Sequence, residues 1–239
     1  MHRFSDLIRV HIAFAVSLLG AGPLVCHAQE SGLDSAGFSK HWFVESESPD
    51  YRVSFSGDTC EIVSPKGLTL WRREKMYGNV TIEYDACVVC NGKSDERLSD
   101  LNCFWMASDP MYPDNIFERA GWRQGIFNRC YTLSLYYMGY GGNYNTTTRF
   151  RRYDGNAEGV ENAEKRPAVL KEYLDKEHLL EANKWYHIKI QNKDGNVRYY
   201  INGELLVDFD DPSPLTSGWF GFRTTLSKTR ITNFMYQVD

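Results

Sequence analysis

Residues 185–208 read WYHIKIQNKDGNVRYYINGELLVD, and this stretch decides the fold. It contains three short runs with strand character, at 185–191, 197–201 and 204–208. Asp194-Gly195 and Asn202-Gly203 separate the runs, and such pairs are the strongest short-range signal of a two-residue hairpin turn. The stretch therefore predicts three antiparallel strands joined by two tight turns.

Strand signals of the same kind continue in both directions along the chain. About a dozen short strands separated by turn residues are typical of an all-β sandwich. We predict a jelly-roll β-sandwich with two antiparallel sheets and a concave ligand-binding face, formed as one domain by residues 29–239. Helical periodicity is weak and predicts only short helices at 114–119 and 175–180. Two long insertions, 108–128 and 156–166, are expected to carry function, because long loops on a rigid sandwich often do.

The first 28 residues have the pattern of a signal peptide. Arg3 and Arg9 form a basic start, and residues 12–25 are apolar but too short for a stable membrane anchor. Ala28 ends an acceptable cleavage site before Gln29; lipid attachment at Cys26 is the alternative. We therefore predict export to the periplasm or the extracellular space.

The formal net charge of the chain is −4. This mildly acidic balance argues against non-specific nucleic-acid binding, although it permits a local basic patch. No segment beyond the leader is apolar for long enough to span a membrane.

Beyond Cys26 the chain has an odd number of cysteines, so at least one is unpaired, and we expect buried thiols or one disulfide. The oligomeric state is not predicted.

Residues 130–155 read CYTLSLYYMGYGGNYNTTTRFRRYDG and form the most informative stretch for function. They predict two strands joined by a Gly-Gly-Asn turn. Side chains on a strand alternate between its faces, so we expect one apolar face and one face that carries phenols and guanidinium groups. Aromatic rings beside arginines on an open sheet are suited to an acidic sugar chain.

The C-terminal third resembles a known superfamily. Residues 183–190, the Asn202-Gly203 turn, residues 218–223 and residues 230–234 together resemble the concanavalin A-like lectin/glucanase superfamily and its relatives that cleave 3-keto-glycosides. Residues 97–110 and 137–154 resemble a little-characterised family of exported bacterial jelly-roll proteins associated with the degradation of pectin and other uronate polysaccharides. The resemblance implies work on carbohydrate, but it carries over no catalytic residues.

β-Elimination next to a uronate needs a cation to neutralise the carboxylate, a base for the C5 proton and an acid for the leaving oxygen. Arginine suits the first task, because its planar fork binds a carboxylate through two hydrogen bonds. Tyrosine or histidine suits the other two. We predict that Arg149 and Arg151 bind and neutralise the carboxylate of the uronate. We predict that Tyr140, or alternatively Tyr136, transfers the protons. His187 is a reserve base. A structural role is the alternative for His187.

Hydrolysis would instead need two carboxyl groups at the scissile bond. Glu83 and Asp85 begin the pattern E-x-D-x-x-E of the resembled glucanases, but Val88 stands at its last position. A calcium site or a salt-bridged surface pair is the alternative for these two acids. No histidine spacing indicates a transition metal. We therefore predict no catalytic cofactor and leave a structural Ca²⁺ open.

Further side chains are candidates for sugar binding because they offer rings, amides or a cation. The structural alternative is burial in the core for the tryptophans and stabilisation of a turn for the asparagines. The candidates are Asn102, Trp105, Trp122, Asn143, Tyr144, Tyr153 and Arg223.

The sequence thus predicts a carbon–oxygen lyase that acts by β-elimination on a uronic-acid-containing poly- or oligosaccharide, either cleaving the chain or dehydrating a terminal unit. The predicted partner is an acidic glycan. Two other classes stay open: a carbohydrate-binding module without catalysis, and a glycoside hydrolase that acts on plant or algal polysaccharide fragments.

Overall fold

The computed structural model describes residues 31–94 and 96–239, and these contain thirteen β-strands and several short helices. The predicted signal peptide lies outside the described residues. The strands are β1 Trp42–Ser46, β2 Arg52–Ser56, β3 Thr59–Arg72, β4 Met76–Tyr77, β5 Val80–Val89, β6 Leu101–Ser108, β7 Ser134–Gly141, β8 Thr147–Asp154, β9 Lys171–Tyr173, β10 Trp185–Lys193, β11 Asn196–Ile201, β12 Glu204–Asp210 and β13 Ser217–Val238. Short α-helical turns are α1 Phe38–His41 and α2 Ala120–Arg123. Gly142–Asn145 is a turn with positive φ at Asn143, Tyr144 and Asn145, and 3₁₀ turns lie at Ile116–Arg119, Phe127–Thr132, Ala157–Val160, Ala163–Lys165 and Lys176–His178.

Two antiparallel sheets share the long strands β3 and β13. The front sheet has the order β9-β8-β7-β6-β13-β3-β1, and the back sheet has the order β12-β11-β10-β5-β13-β3-β2. β13 passes from one sheet to the other at Leu226, where φ is +46° and the register with β3 shifts. A bulge of this kind bends a strand, so one strand serves both sheets. The predicted all-β jelly-roll sandwich is confirmed.

The two hairpin turns of the opening stretch form as predicted. β10 pairs with β11, and β11 pairs with β12. Asp194 and Gly195 have φ of +51° and +84°, and Asn202 and Gly203 have +50° and +86°. Positive φ at both central residues is the requirement of a type I′ turn, which asparagine, aspartate and glycine meet most easily.

The main core lies between the sheets and is rich in aromatic rings. Trp105 on β6 stacks on Tyr199 of β11 at 6.1 Å, and Phe150 on β8 meets Phe209 of β12 at 5.6 Å. Trp105 is fully buried. Trp105 is therefore a core residue, and the prediction that it is a platform for a sugar is wrong.

A second core covers part of the outer face of the front sheet. Residues 109–133 fold over this face, and Ile116, Tyr131 and Leu133 bury the sheet residues Phe104 and Leu135. The predicted long insertion thus becomes a roof over the sheet. The part of the face that the roof leaves open is where a ligand can reach the strands.

All five cysteines of the described residues are free thiols, and Cys60, Cys103 and Cys130 are buried. Of the two interpretations left open, buried thiols rather than a disulfide therefore hold for this part of the chain. Burial raises the pKa of each of these three thiols to about 12. They are protonated at neutral pH and pack as small apolar groups. Within residues 31–94 and 96–239, no helix has the length and apolar character needed to cross a bilayer.

Candidate functional site

A groove of about 490 Å³ opens on the outer face of the front sheet. Its floor comes from β6, β7, β8 and β13, and its rim comes from residues 97–100, 127–131 and 166. Arginine is the residue type that distinguishes it. We call it the arginine groove, after the side chains of Arg97, Arg149, Arg151, Arg166 and Arg223 that line it.

Strand register explains which side chains meet on the floor. Arg223 lies opposite Asn102, Asn102 lies opposite Gly139, and Gly139 lies opposite Arg149. One row across four strands therefore carries an arginine at each end and a glycine between them. A Cβ added at Gly139 would lie 2.4 Å from the Tyr137 hydroxyl, so glycine leaves the room into which that phenol folds. The ring of Tyr137 therefore lies over Gly139 and forms the middle of the floor.

Two of the five arginines are paired with carboxylates. Arg97 forms an ion pair with Asp100, and its Nη2 also donates to the Thr225 carbonyl at 3.2 Å. Arg149 Nε lies 2.5 Å from Glu172 Oε1 on the neighbouring strand β9. These two guanidinium groups are therefore partly neutralised by the protein itself.

The other three arginines make no ion pair with any acid of the described residues. Arg151 donates to the Pro167 carbonyl, Arg166 Nε donates to the Gly159 carbonyl at 3.5 Å, and Arg223 Nη1 donates to the Gly125 carbonyl at 2.6 Å. A carbonyl satisfies one hydrogen bond but does not cancel the charge. This end of the groove therefore carries positive charge in a chain whose net charge is negative, and Arg223 also acts electrostatically on the buried Glu45.

Two phenols, Tyr131 and Tyr137, stand among these cations. Burial raises the pKa of Tyr131, and the charges of Arg166 and Arg151 oppose that rise. Burial likewise raises the pKa of Tyr137, against the opposing charges of Arg223 and Arg151. Both phenols are therefore protonated at neutral pH and act as hydrogen-bond donors.

Tyr136 and Tyr140, the predicted proton-transfer residues, lie on the opposite face of β7. Tyr136 is fully buried, donates from its hydroxyl to Asp211 Oδ2 at 2.6 Å, and accepts from the Leu215 amide at 3.1 Å. Tyr140 packs on Tyr186 in the core at 5.3 Å. The expectation that these phenols share a face with Arg149 and Arg151 is wrong, because odd-numbered residues of β7 face the groove and even-numbered ones face the core.

Because Tyr136 is a core residue, Tyr136→Phe is expected to lower the free energy of unfolding by about 1–3 kcal/mol while leaving ligand binding unchanged. The hydroxyl helps to hold the pKa of Asp211 below its usual value against the effect of burial. This contribution is present above the usual aspartate pKa and is lost as pH falls through the lowered one. Urea unfolding at neutral and acidic pH measures it; an equal loss at both pH values would contradict the assignment.

His187 and the acidic pair lie on the outer face of the back sheet. His187 Nδ1 is 2.8 Å from Asp85, and its Nε2 is 3.4 Å from Glu83. Lys189 contacts Glu83 at 3.2 Å, and Asn233 donates to Asp85 at 2.7 Å. Glu83 and Asp85 are therefore a salt-bridged surface pair, as one of the alternatives held. His187 as a reserve base for the groove is wrong, since β10 belongs to the other sheet.

Two further candidates do not line the groove. Tyr153 is fully buried in the second core, beneath Tyr131. Trp122 is 42% exposed on the roof segment, with Arg119 and Arg129 each 5.2 Å from its ring. Its indole therefore already serves as a platform for the protein's own cations.

The structure brings together Asn102, Asn143, Arg149, Arg151 and Arg223 as lining residues of one groove. Tyr144 stands at the rim, with its ring 4.6 Å from the guanidinium of Arg97, a lining residue. Sequence reasoning missed Arg97, Arg166, Tyr131 and Tyr137. Tyr137 is the cross-strand partner of Arg151, so the alternation of side chains along the two strands could have predicted that both face the groove. No feature of the sequence around Arg166 indicates that this residue reaches the groove.

No group of three or more His, Cys, Asp or Glu side chains in residues 31–94 and 96–239 is arranged to hold a metal ion. Asp100, which lines the groove, is occupied by Arg97 and by the side-chain amide of Asn102 at 3.1 Å.

Residues 62–234 match the model of a protein family described as "Domain of unknown function (DUF6250)". A search of curated proteins finds no match.

Solved structures with the same fold include three that cover most of the chain. A Bacillus subtilis protein of unknown function with a galectin-like fold has a TM-score of 0.67 at 16% identity, covering 89% of this chain and 95% of its own. The carbohydrate binding module CBM66 from Bacillus subtilis has a TM-score of 0.54 at 13% identity, covering 83% and 96%. The exoplasmic/lumenal domain of VIP36, in a form bound to Ca²⁺ and Man3GlcNAc, has a TM-score of 0.57 at 10% identity, covering 89% and 90%. At these identities the likeness establishes the galectin-like fold alone.

Proposed function

Because the chain belongs to the DUF6250 family, whose description states no activity, we propose its function from the site itself: the arginine groove binds an acidic carbohydrate. The observation that carries the proposal is that Arg151, Arg166 and Arg223 converge on one groove without a carboxylate partner among the described residues. Guanidinium groups held ready in this way bind a ligand carboxylate through charge-assisted hydrogen bonds.

The carbohydrate part of the proposal is supported by the lining and by the fold. Phenol rings, the amides of Asn102 and Asn143, and arginines supply the donors and flat surfaces that sugars need. Of the structural neighbours, CBM66 is a carbohydrate binding module, and the VIP36 domain was solved in a form bound to Ca²⁺ and Man3GlcNAc. This second support is an analogy of fold, and the groove carries the argument.

Uronates, such as those of pectin, are the acidic sugars we propose. A uronate carries its carboxylate on the ring, and the planar fork of Arg151 can meet both oxygens of that carboxylate. Arg223 and Arg166 approach the same region from β13 and from the second insertion. A neutral sugar would leave these buried or half-buried charges unmatched, which the protein would pay for in affinity.

β-Elimination by this groove is the second candidate, and one observation favours it: the phenol of Tyr137 stands directly across the strand pair from Arg151. In that reaction Arg149 and Arg151 would neutralise the carboxylate, a base would remove the C5 proton as the C4–O bond breaks, and Tyr137, in place of Tyr140 or Tyr136, would protonate the leaving oxygen. The described lining residues offer no free base, since Asp100 is paired with Arg97 and the pKa of Tyr131 is raised. The raised pKa of Tyr137 suits an acid and disfavours a phenolate base. Binding is therefore the first choice.

Hydrolysis fits the groove least well. Of the described residues that line the groove, Asp100 alone carries a carboxyl group, and it is paired with Arg97. A hydrolase needs two carboxyl groups on either side of the glycosidic bond. We therefore do not propose hydrolysis.

Calorimetry with uronate oligosaccharides and their carboxyl-reduced neutral counterparts tests the proposal. We expect binding of the uronates that weakens as salt is raised, and at least tenfold weaker binding of the neutral sugars, the effect of one or more lost charged hydrogen bonds of about 1.5–3 kcal/mol. Ultraviolet absorbance of unsaturated uronate products, followed in the same mixtures, would establish the lyase. Equal affinity for charged and neutral sugars would overturn the proposal.

We also propose that the protein is exported, on the strength of the signal-peptide pattern of residues 1–28. Polysaccharide fragments occur outside the cell, so export would bring the groove to its ligand. N-terminal sequencing of the protein from a periplasmic or culture fraction should find Gln29 as the first residue.

A further inference from the structure

We propose that the arginine groove binds at least two consecutive sugar units, with the anionic unit at Arg151 and a second unit stacked on Tyr144 at the opposite end. This inference rests on the proposed function and names its ligand class more narrowly. The ligand is then an acidic oligosaccharide or polysaccharide rather than a single uronic acid.

The floor of the groove is longer than one sugar ring. The groove follows β7 from Tyr137 past Gly139 to Gly142, and both glycines line it. The five residues from Tyr137 to Gly141 alone span about 14 Å, which is four steps at the usual rise of a strand. A pyranose ring is about as wide as the spacing between neighbouring strands, ~5 Å, so one ring cannot fill the floor.

The two ends of the groove differ in charge. Arg151 lies across the strand pair from Tyr137, the charge of Arg223 acts on the Tyr137 phenol, and Arg166 lies 5.6 Å from the ring of Tyr131. At the other end the charge of Arg97 is met by Asp100, and the ring of Tyr144 lies 4.6 Å from the Arg97 guanidinium. The second sugar therefore need not be charged. The Arg97 guanidinium lies over one face of the Tyr144 ring, and the other face, on a side chain that is 70% exposed, can contact the C–H face of a sugar.

The backbone that carries the Tyr144 ring is in the left-handed conformation. Asn143, Tyr144 and Asn145 have φ of +51°, +60° and +57°, three consecutive residues in the left-handed region. That conformation costs about 1–2 kcal/mol for an ordinary L-residue, although asparagine tolerates it better. Asn145 holds the turn in place, since its side chain donates to the Leu180 carbonyl at 2.9 Å and accepts from the Leu180 amide at 2.8 Å.

Burial does not compensate for the strain at Tyr144. Tyr144 is 70% exposed, and no other tyrosine among the described residues is more exposed. Strained backbone that displays a residue to solvent beside a groove is typical of ligand-binding sites. We infer that the turn exists to present this ring to a ligand.

Calorimetry with a uronate monomer and trimer tests the inference, using the wild type, Tyr144→Ala and Tyr144→Phe. The wild type should bind the trimer more tightly than the monomer. Tyr144→Ala should lose about threefold to tenfold in affinity for the trimer, the effect of one ring contact, and keep its affinity for the monomer. Tyr144→Phe should behave as the wild type, because it retains the ring.

Tyr77→Ala is the matched control, since Tyr77 is also exposed, at 59%, and stands 5.5 Å from the ammonium of Lys75 outside the groove. It should leave both affinities unchanged. If the wild type binds monomer and trimer equally, or if Tyr144→Ala keeps the full preference for the trimer, the second subsite is wrong while the proposed function stands. If the wild type binds neither, the proposed function itself fails and this inference with it.

Discussion

Replacing Arg151 with alanine is expected to weaken binding of a uronate oligosaccharide by about tenfold to a hundredfold, without unfolding the protein. A charged hydrogen bond contributes about 1.5–3 kcal/mol, and Arg151 can form two of them with one carboxylate. The side chain is half-buried on β8 and donates only to the Pro167 carbonyl, so its removal leaves no acid of the described residues unpaired. The loss should therefore appear in affinity rather than in stability.

Two further variants sharpen this experiment. Arg151→Lys keeps the charge but loses the planar fork, so it should recover only part of the affinity. Arg198→Ala removes the same charge from the back sheet, where Arg198 is exposed and pairs with Asp208 at 3.2 Å. If Arg198→Ala weakens binding as much as Arg151→Ala does, the effect comes from net charge, and the assignment of the groove is wrong.

The second large effect concerns the roof of the groove. Arg123→Met is expected to lower the free energy of unfolding by about 3–5 kcal/mol, because removing one partner of a buried ion pair leaves the other charge uncompensated. Arg123 is fully buried, and its Nη2 donates to Glu45 Oε2 at 2.9 Å and to the Ile116 carbonyl at 2.7 Å. Asp109, also fully buried, lies 3.5 Å from Arg123 Nη1.

The loss should depend on pH. Burial raises the pKa of Glu45, and the charge of Arg123 opposes that rise, so in Arg123→Met the pKa of Glu45 should rise further. An acid whose folded pKa is raised contributes stability below its unfolded pKa and loses it as pH rises. Arg123→Met should therefore be closer to the wild type in mild acid than at neutral pH.

Urea unfolding at both pH values measures this, with Arg230→Ala as the control. Arg230 is exposed and pairs with Glu61 at 2.8 Å, so its removal should cost less than about 1 kcal/mol. If Arg123→Met costs no more than Arg230→Ala, the buried cluster does not hold the roof. The roof also carries Phe127 and Tyr131, so ligand affinity should fall with it.

Much of the fold could be predicted from the sequence because its signals are local. The Asp194-Gly195 and Asn202-Gly203 turns require positive φ at neighbouring residues, and the residue types alone announce this. The predicted strands at 219–224 and 229–238 exist as parts of one strand, β13. The bend between them depends on a change of partner strands at Leu226, and a short window of sequence does not contain those partners.

The site could be predicted only in part, because alternation predicts which residues share a face but not which face is open. Arg149 and Arg151 line the groove as expected, yet Tyr136 and Tyr140 belong to the core face. Tyr137 has the same residue type as Tyr136 and differs from it only in parity along β7. The choice between them therefore required knowing which face of β7 packs against the core and which face is open.

By itself the sequence determined the strands, the turns and the presence of arginines and tyrosines on one hairpin, since these follow from residue type and a period of two. Only the tertiary structure decided that the roof of residues 109–133 covers part of that face, that Arg166 from the insertion after β8 joins Arg151, and that His187 lies on the other sheet. The physical reason is that a binding site forms from side chains that are close in space, and packing of the two layers sets that closeness.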